Sequence, residues 1–488
     1  MLVILGFSMI TAFMYLIMTK RITPVAALIL VPTIFGLFAG AGWGLSDMIM
    51  EALLKLAPTA ALLFFAITFF GIMIDVGLFD PLIRLILRFV KNDPMRLVVG
   101  TALLTSIVSL DGDGSTTFII VTSAFLPIYL KLKMSPVVLT VVAATANGVL
   151  NTVPWGGSTA RAAASLNVSP IDIFVPMIPA IVSGILAVVV LAYFLGRSER
   201  KRLGQLTLAD EDTNDVAAEP MTVSSDQSVK FGQLAGVGTG SSSTPPALQG
   251  NRGSGALTGD GDDEVSDFAE LPSDAQNHLH RPKARPKLVW LNLALTLAVM
   301  TMLVWGLVEP PVILMIGVGI AMVLNFPRVA EQADQLKAHA SSVVSVVALV
   351  FGASVLTGVL NGTGMVEAMA AWLVEIIPTS FGPHLALIAG VLSLPLTFFM
   401  SNDAFFFGVM PVLTEAASHY GITAEEMARA SITGQPLHTS SPLVASFLLL
   451  VGLAKVELGD HMRKAIWRAS VVGLVLLAVG ALTGAFPF

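Results

Sequence analysis

The chain has 488 residues, of which 55% are hydrophobic and only 12% charged, and its mean hydropathy is +0.81. Soluble globular proteins carry about 25% charged residues, so this composition is that of a polytopic membrane protein. Without cysteine there is no disulfide framework, zinc ribbon or thiol chemistry; without a DNA-binding or P-loop motif there is no expected nucleic-acid partner, and an ATP-driven pump would need a second chain.

Hydrophobic runs of 17–25 residues are candidate spans, because a helix rises about 1.5 Å per residue through a hydrocarbon core of about 30 Å. The first set falls at 1–19, 24–41, 56–76, 136–165 and 170–196. Residues 1–19 lack a basic start and a small-residue cleavage site, so they are expected to be a first transmembrane helix rather than a removed signal. Residues 197–287 are polar and rich in Gly, Ser, Asp and Pro, too poor in apolar surface to fold, and are expected to be a disordered linker. Its "GVGTG" neither follows a strand nor opens a helix, which makes it a poor nucleotide motif. The linker also explains the charge. Residues 203–280 hold thirteen acidic residues against Lys230 and Arg252, and taking these from the totals of 33 and 27 leaves 20 acidic and 25 basic residues elsewhere. The second set of spans falls at 288–308, 310–325, 341–361, 424–453 and 464–486.

The two sets correspond. "GLFDPLIRLILRFV" (77–90) follows the third span of the first half, and "GMVEAMAAWLVEII" (364–377) takes the same place in the second; Asp113 matches Asp403, and "NTVP" (151–154) matches "TSSP" (439–442). The offsets at the glycines, aspartates and prolines are 287, 290 and 288, which indicates an internal duplication of the kind found in secondary transporters. Lys and Arg favour cytoplasmic loops. With the N-terminus outside, Lys20, Arg21, Arg84, Arg88, Lys91, Arg96, Lys131, Lys133, the basic stretches 197–202 and 281–287, Arg328, Lys337, Lys455, Arg463 and Lys464 all fall inside, while Asp47, Glu51, Glu309, Glu367 and Glu375 mark the opposite face. This path requires 97–130 to enter and leave from the cytoplasm and 385–417 to enter and leave from outside. Each half then crosses five times, so the fold class expected is all-α and polytopic, built from two inverted repeats (1–196 and 288–488), each with a re-entrant hairpin and a broken helix. Both termini are placed outside and the linker in the cytoplasm.

Non-helical backbone at membrane depth is tolerated only where it is buried in protein or lines a wet cavity, so two opposed polar hairpin tips imply a shared site near the midplane. In "SLDGDGSTTF" (109–118), Gly112 and Gly114 permit tight turns, Ser115 and Thr116 offer hydroxyls, and Asp111 and Asp113 supply charge; "MSNDAF" supplies Ser401, Asn402 and Asp403. Ionised groups at such depth are costly unless paired or hydrated, and a functional role is the default. Helix capping is the competing account, chiefly for Asp111. An EF-hand is excluded, since its sixth and twelfth positions need Gly and Glu and this chain has Thr116 and Thr122.

The fourth spans of the two sets, 136–165 and 424–453, are interrupted by Asn147-Gly148, Pro154 and Gly156-Gly157 in the first and by Gly434, Pro436 and Pro442 in the second. Broken helices aim half-helix N-termini at anions and loose carbonyls at cations. The site therefore gains Asn147, Asn151, Thr152, Ser158, Thr159, Thr433, Gln435, Thr439, Ser440 and Ser441 as uncharged partners. Arg161 can pair with a carboxylate or snorkel to the interface, and His438 can take a proton near neutrality or simply hydrogen-bond. Asp75 and Arg429 are placed at the interface.

"SLDGDGSTTF", "NTVPWGGSTARAA" and "MSNDAFFFGVMP" resemble the CitMHS family of metal–citrate:proton symporters within the ion transporter superfamily, over both membrane halves. The resemblance implies a transporter, not an enzyme, of the cytoplasmic membrane. It would take up citrate as a complex with a divalent cation of the Mg²⁺ or Ca²⁺ type, with protons as coupling ion. It implies no resident cofactor, the metal being part of the substrate, and relatives of this architecture suggest a homodimer. On that footing Asp113 and Asp403 touch the metal or carry the proton, with Asp111 beside them, while Asn and hydroxyl donors and Arg161 hold the organic carboxylates. A sodium-coupled carboxylate carrier, a proton-driven antiporter and an intramembrane aspartyl protease are the other readings. Uptake that follows added metal or added sodium separates the first, export the second, proteolysis by the purified chain the third.

Overall fold

A computed structural model describes residues 1–19, 21–90, 93–112, 114–203, 284–378 and 380–488. Lys20, Lys91, Asp113 and most of the acidic linker (204–283) lie outside the described residues, as does the side chain of Asp111. All regular structure among the described residues is helical. Seven of these helices are long and apolar enough to cross a bilayer, and six further apolar ones have 10–17 residues; this is an integral membrane protein.

The first half runs α1 (Leu2–Met18), α2 (Pro24–Phe38), α3 (Leu45–Asp75), α4 (Asp80–Val90), α5 (Pro94–Val108), α6 (Gly114–Lys131), α7 (Pro136–Leu150), α8 (Gly157–Leu166) and α9 (Pro170–Leu203). Local sequence explains the starts. Thr23 accepts the Ala26 N–H ahead of Pro24, and Asp93 accepts the Met95 N–H ahead of Pro94, so a side-chain cap and a proline at the first turn coincide. α5 and α6 fold back on each other through a 3₁₀ turn (Ser109–Asp111) and Gly112, whose φ is +80°. Gly100 lies against Phe125, and the hydroxyls of Thr101 and Tyr129 meet at 3.1 Å, fixing the hairpin legs side by side.

The second half runs α10 (Val289–Trp305), α11 (Pro310–Asn325), α12 (Val329–Ala338), α13 (Ala340–Gly362), α14 (Met365–Ile376) and α15 (Leu385–Phe399). A π-helical turn (Ala404–Val409) then leads into α16 (Met410–Ser418), followed by α17 (Ala424–Ser431), the single turn α18 (Gln435–His438), α19 (Ala445–Leu453) and α20 (Leu458–Leu482). Here too a hairpin closes: Gly382, before α15, packs on the ring of Tyr420, after α16.

Three boundaries differ from those expected of the sequence. α3 begins at Leu45 rather than 56, because its first turns are amphipathic, with an exposed Glu51–Lys55 pair at 2.8 Å, and carry no continuous apolar signal. α9 continues to Leu203, so 197–203 belongs to a helix and not to the linker; its basic last turn suits a helix C-terminus, and Arg202 bonds Glu199 at 2.6 Å. At the other end of the linker, Arg285 donates its N–H to the Val76 carbonyl and its Nε–H to that of Asn325, so 284–288 is anchored to both halves.

α3 packs along α13, and α9 packs along α5 and α20. Glycine lets the two interrupted helices touch main chain to main chain. A Cβ at Gly148 would meet the Pro436 Cα at 2.6 Å, the Thr439 hydroxyl at 2.6 Å and the Gln435 carbonyl at 2.7 Å.

Candidate functional site

Each hairpin tip is docked on a helix break. In the first half, α7 ends at Leu150 and α8 resumes at Gly157; Pro154 lacks an N–H and two glycines cost helix entropy in between. The break satisfies itself. Asn151 Oδ1 caps the Gly157 N–H at 3.0 Å, Ser158 donates to the Asn151 carbonyl at 2.7 Å, Thr159 donates to that of Thr152 at 3.0 Å, and Thr152 donates to that of Val149 at 2.6 Å. The tip then joins it. Asn147 Nδ2 donates to Ser109 Oγ at 3.0 Å and the Trp155 indole N–H donates to the Leu110 carbonyl at 2.7 Å. Trp155 is held in turn by stacking on Phe70 of α3, with ring centroids 4.1 Å apart. Gly114, opening α6, lies between Asn147 and Ser446 of α19, and Ser115 and Thr116 follow it in the first turn.

In the second half, Ser401 accepts the Ala404 N–H at 3.2 Å and starts the returning leg. Asn402 and Gln435 exchange two hydrogen bonds, of 3.1 and 3.2 Å. The same Gln435 Oε1 accepts Asn151 Nδ2 at 3.1 Å, so one amide oxygen receives a donor from each half of the chain. Asp403 accepts Arg161 Nε at 2.6 Å, while Arg161 NH1 stays on the Gly157 carbonyl at 2.8 Å. The paired side chains are 26% and 12% exposed, and such a pair must hold each charge against loss of water.

Four of the expected ligands are hydrogen-bonded within the chain. Thr433, Thr439 and Ser441 donate to the carbonyls of Ala430, Gln435 and Phe398, and His438 donates from Nδ1 to that of Thr397 at 2.5 Å. With Thr152, Ser158 and Thr159, they hold the breaks in shape, and the six hydroxyls among them present oxygen lone pairs rather than O–H donors. Ser440 differs: its hydroxyl meets His461 Nε2 at 3.2 Å. Arg161, expected to pair with a carboxylate or to snorkel to the interface, pairs with Asp403 in this conformation, and Arg429, expected at the interface, bonds the carbonyls of Asp172 and Ala485. The expected meeting of Asp113 with Asp403 falls outside the described residues, as does the Asp111 side chain.

Three site residues carried no flag in the sequence. Ser109 stood at the edge of the polar tip and Trp155 inside the break, where an indole among glycines was the available signal. His461 lies in "LGDHMRKA", a charged stretch that resembles a loop flank.

A family model described as "Citrate transporter" (CitMHS) matches residues 13–434. A "Citrate transporter" of Bacillus subtilis (strain 168) is 43% identical over 488 residues, covering 100% of both chains. A "Mg(2+)/citrate complex secondary transporter" of the same organism is 42% identical over 486 residues, 99% of both chains. Among solved structures, the YdaH transporter of Alcanivorax borkumensis aligns with 90% of this chain and 87% of its own at a TM-score of 0.48 and 13% identity. With the family match spanning both hairpins and the relatives aligned end to end, the chain belongs to the CitMHS family of citrate transporters.

Proposed function

We propose that the chain imports citrate as a complex with a divalent metal ion of the Mg²⁺ or Ca²⁺ type, in symport with protons, across the cytoplasmic membrane. The observation that carries this reading is the Arg161–Asp403 pair at 2.6 Å, set between the first break and the second hairpin tip. It is one cation and one anion, the two charges that a metal carboxylate needs in complement. Fully ionised citrate carries three negative charges and a bound divalent ion reduces this to one. The bare tricarboxylate would be repelled by Asp403, and the bare metal by Arg161. Only the chelate offers a cation to the first and a carboxylate to the second, so it can replace the internal pair bond for bond. Asp111 and Asp113 are proposed to complete the acidic side from the first tip.

In this reading the two halves are inverted repeats, 97–130 and 385–417 re-entrant from opposite faces, and the docked tips move with the breaks in alternating access. The termini lie outside and the linker in the cytoplasm. The relative named for Mg²⁺/citrate supports the cargo.

The test is uptake of labelled citrate by cells expressing the chain, across Mg²⁺, Ca²⁺, other divalent ions and Na⁺, with and without a chelator. Uptake that follows the divalent ion and falls with the chelator is expected. Uptake that follows Na⁺ and ignores the metal would overturn the proposal.

A further inference from the structure

α20 carries His461 in its first turn, and the side chain is fully buried (0% exposed) with Phe447 of α19 4.6 Å away, ring to ring. Both ring nitrogens are held by hydroxyls. Nδ1 is 3.0 Å from Thr140 Oγ1 on α7, and Nε2 is 3.2 Å from Ser440 Oγ in the second break. The partners suit one tautomer. Thr140 Oγ1 also lies 3.0 Å from the Val137 carbonyl, an acceptor for its own hydrogen, which leaves its lone pairs to accept from Nδ1–H. That leaves Nε2 as an acceptor, and Ser440 donates to it.

We propose that His461 is the proton-carrying residue of this transporter and that Ser440 relays its state to the substrate; this rests on the metal–citrate reading above. With His461 neutral, the Ser440 hydrogen is committed to Nε2 and its lone pairs alone face away from the ring. A proton taken from bulk water occupies Nε2, which then donates to Ser440. Ser440 is released to turn its O–H outward and donate to a citrate carboxylate. Nδ1–H to Thr140 is the same in both states, so one proton enters and one leaves per cycle with no other bond changed. Proton and anion then favour each other's binding, which is the requirement for symport. Of the four hydroxyls of this break, Thr433, Thr439 and Ser441 donate to backbone carbonyls; Ser440 is bonded to a group that titrates.

The surroundings suit a single titrating group. α7, α15 and α19 bring no Asp, Glu, Lys or Arg to it, and His438 on α18 is engaged with the Thr397 carbonyl. α17 carries Glu425, Glu426 and Arg429; α9 has Asp172 in its first turn and its basic residues with Glu199 in the last ones. On α20 itself Asp460, Arg463 and Lys464 flank the histidine in sequence, after Lys455 and Glu457. In this conformation the ring is sealed from water, so proton exchange belongs to another state of the cycle, as alternating access demands.

The experiment uses the full chain in proteoliposomes with labelled citrate and Mg²⁺. Exchange of external label for internal unlabelled citrate–Mg²⁺ needs no net proton movement, whereas accumulation under an imposed pH gradient does. One unit of gradient drives about tenfold accumulation per coupled proton. His461→Gln is expected to lose that accumulation, down to equilibration, while losing far less of its exchange, and its exchange rate is expected to lose the parent's pH dependence. Ser440→Ala, which keeps the histidine but cuts the relay, is expected to show the same split with a raised KM for the complex, and decides the matter if the Gln variant does not reach the membrane. Gradient-driven accumulation and a pH profile like the parent's in either variant would overturn the proposal, as would equal loss of exchange and accumulation in a folded His461→Gln protein. A parent protein that exchanges no citrate with Mg²⁺ would instead sink the cargo reading.

Discussion

Arg161 gives its Nε hydrogen to Asp403 at 2.6 Å although 242 residues of chain separate them, and the guanidinium is steadied from behind by the Gly157 carbonyl. The pair thus fastens the first helix break to the second hairpin tip. Arg161→Gln leaves a carboxylate without its cation, and Asp403→Asn does the converse. Each is expected to destabilise the protein by about 3 kcal/mol, the scale for stripping one partner from a buried ion pair, and to abolish citrate uptake. The double variant restores charge balance, so its melting temperature in detergent is expected to recover while uptake does not. Single and double variants that melt alike would show that the pair does not hold the two elements together.

Gln435 is the second fastening. Its Oε1 receives Asn151 and Asn402, and its Nε2 returns a bond to Asn402. In Gln435→Leu three hydrogen bonds vanish, and the amides of half-buried Asn151 and buried Asn402 lose this partner, at a cost of about 1–3 kcal/mol for each group left unsatisfied. Both a lower melting temperature and a fall in uptake of more than about tenfold are expected, since roughly 1.4 kcal/mol is tenfold in an equilibrium between conformers. An unchanged melt would show that water replaces the glutamine.

Continuous apolar stretches and the polar interruptions at 109–118 and 401–403 made the spans and hairpin tips legible, because hydrophobic length and turn chemistry are local properties. The charged first turns of α3 and the basic end of α9 were not, since hydropathy does not see an amphipathic helix. Which atoms meet in the site was hidden for a different reason. Nothing in "GSTARAA" tells whether Arg161 waits for a ligand or already holds Asp403. Ser and Thr in a helix can bond their own backbone three or four residues back, so sequence alone does not tell that Thr433 and Thr439 give their protons to Ala430 and Gln435. His461 depends on contacts from Thr140 and Ser440, which no window of sequence contains.

At the first tip, Gly112 combines a φ of +80° with a Trp155 carbonyl that would stand 3.2 Å from an added Cβ. Gly112→Ala therefore meets both backbone strain, about 1–2 kcal/mol, and a contact that can be relieved only by moving Trp155 off the Leu110 carbonyl. Trp155→Phe removes that hydrogen bond, worth about 1 kcal/mol, together with part of the indole's packing, and keeps an aromatic ring beside Phe70. The order of melting temperatures expected is parent, Trp155→Phe, Gly112→Ala, from highest to lowest. Gly112→Ala melting above Trp155→Phe would mean that the turn relaxes without disturbing the indole.

The halves also meet away from the tips, where α3 packs along α13. Asp75 closes α3, and its Oδ2 is 3.1 Å from His339 Nε2, between α12 and α13; the buried Gln335 amide bonds the same oxygen. One turn back on α3, Gly71 lies under the imidazole, where an added Cβ would be 2.6 Å from both Cε1 and Nδ1. A methyl there cannot coexist with the ring as placed, so Gly71→Ala is expected to push His339 from Asp75 and to cost about 1–3 kcal/mol, the range for overpacking. The three atoms nearest that methyl all belong to His339. Removing the ring should therefore remove the penalty, and Gly71→Ala/His339→Ala is expected to melt no lower than His339→Ala alone. Additive losses in this double-mutant cycle would mean that Gly71 is needed by α3 itself rather than by the histidine packed on it.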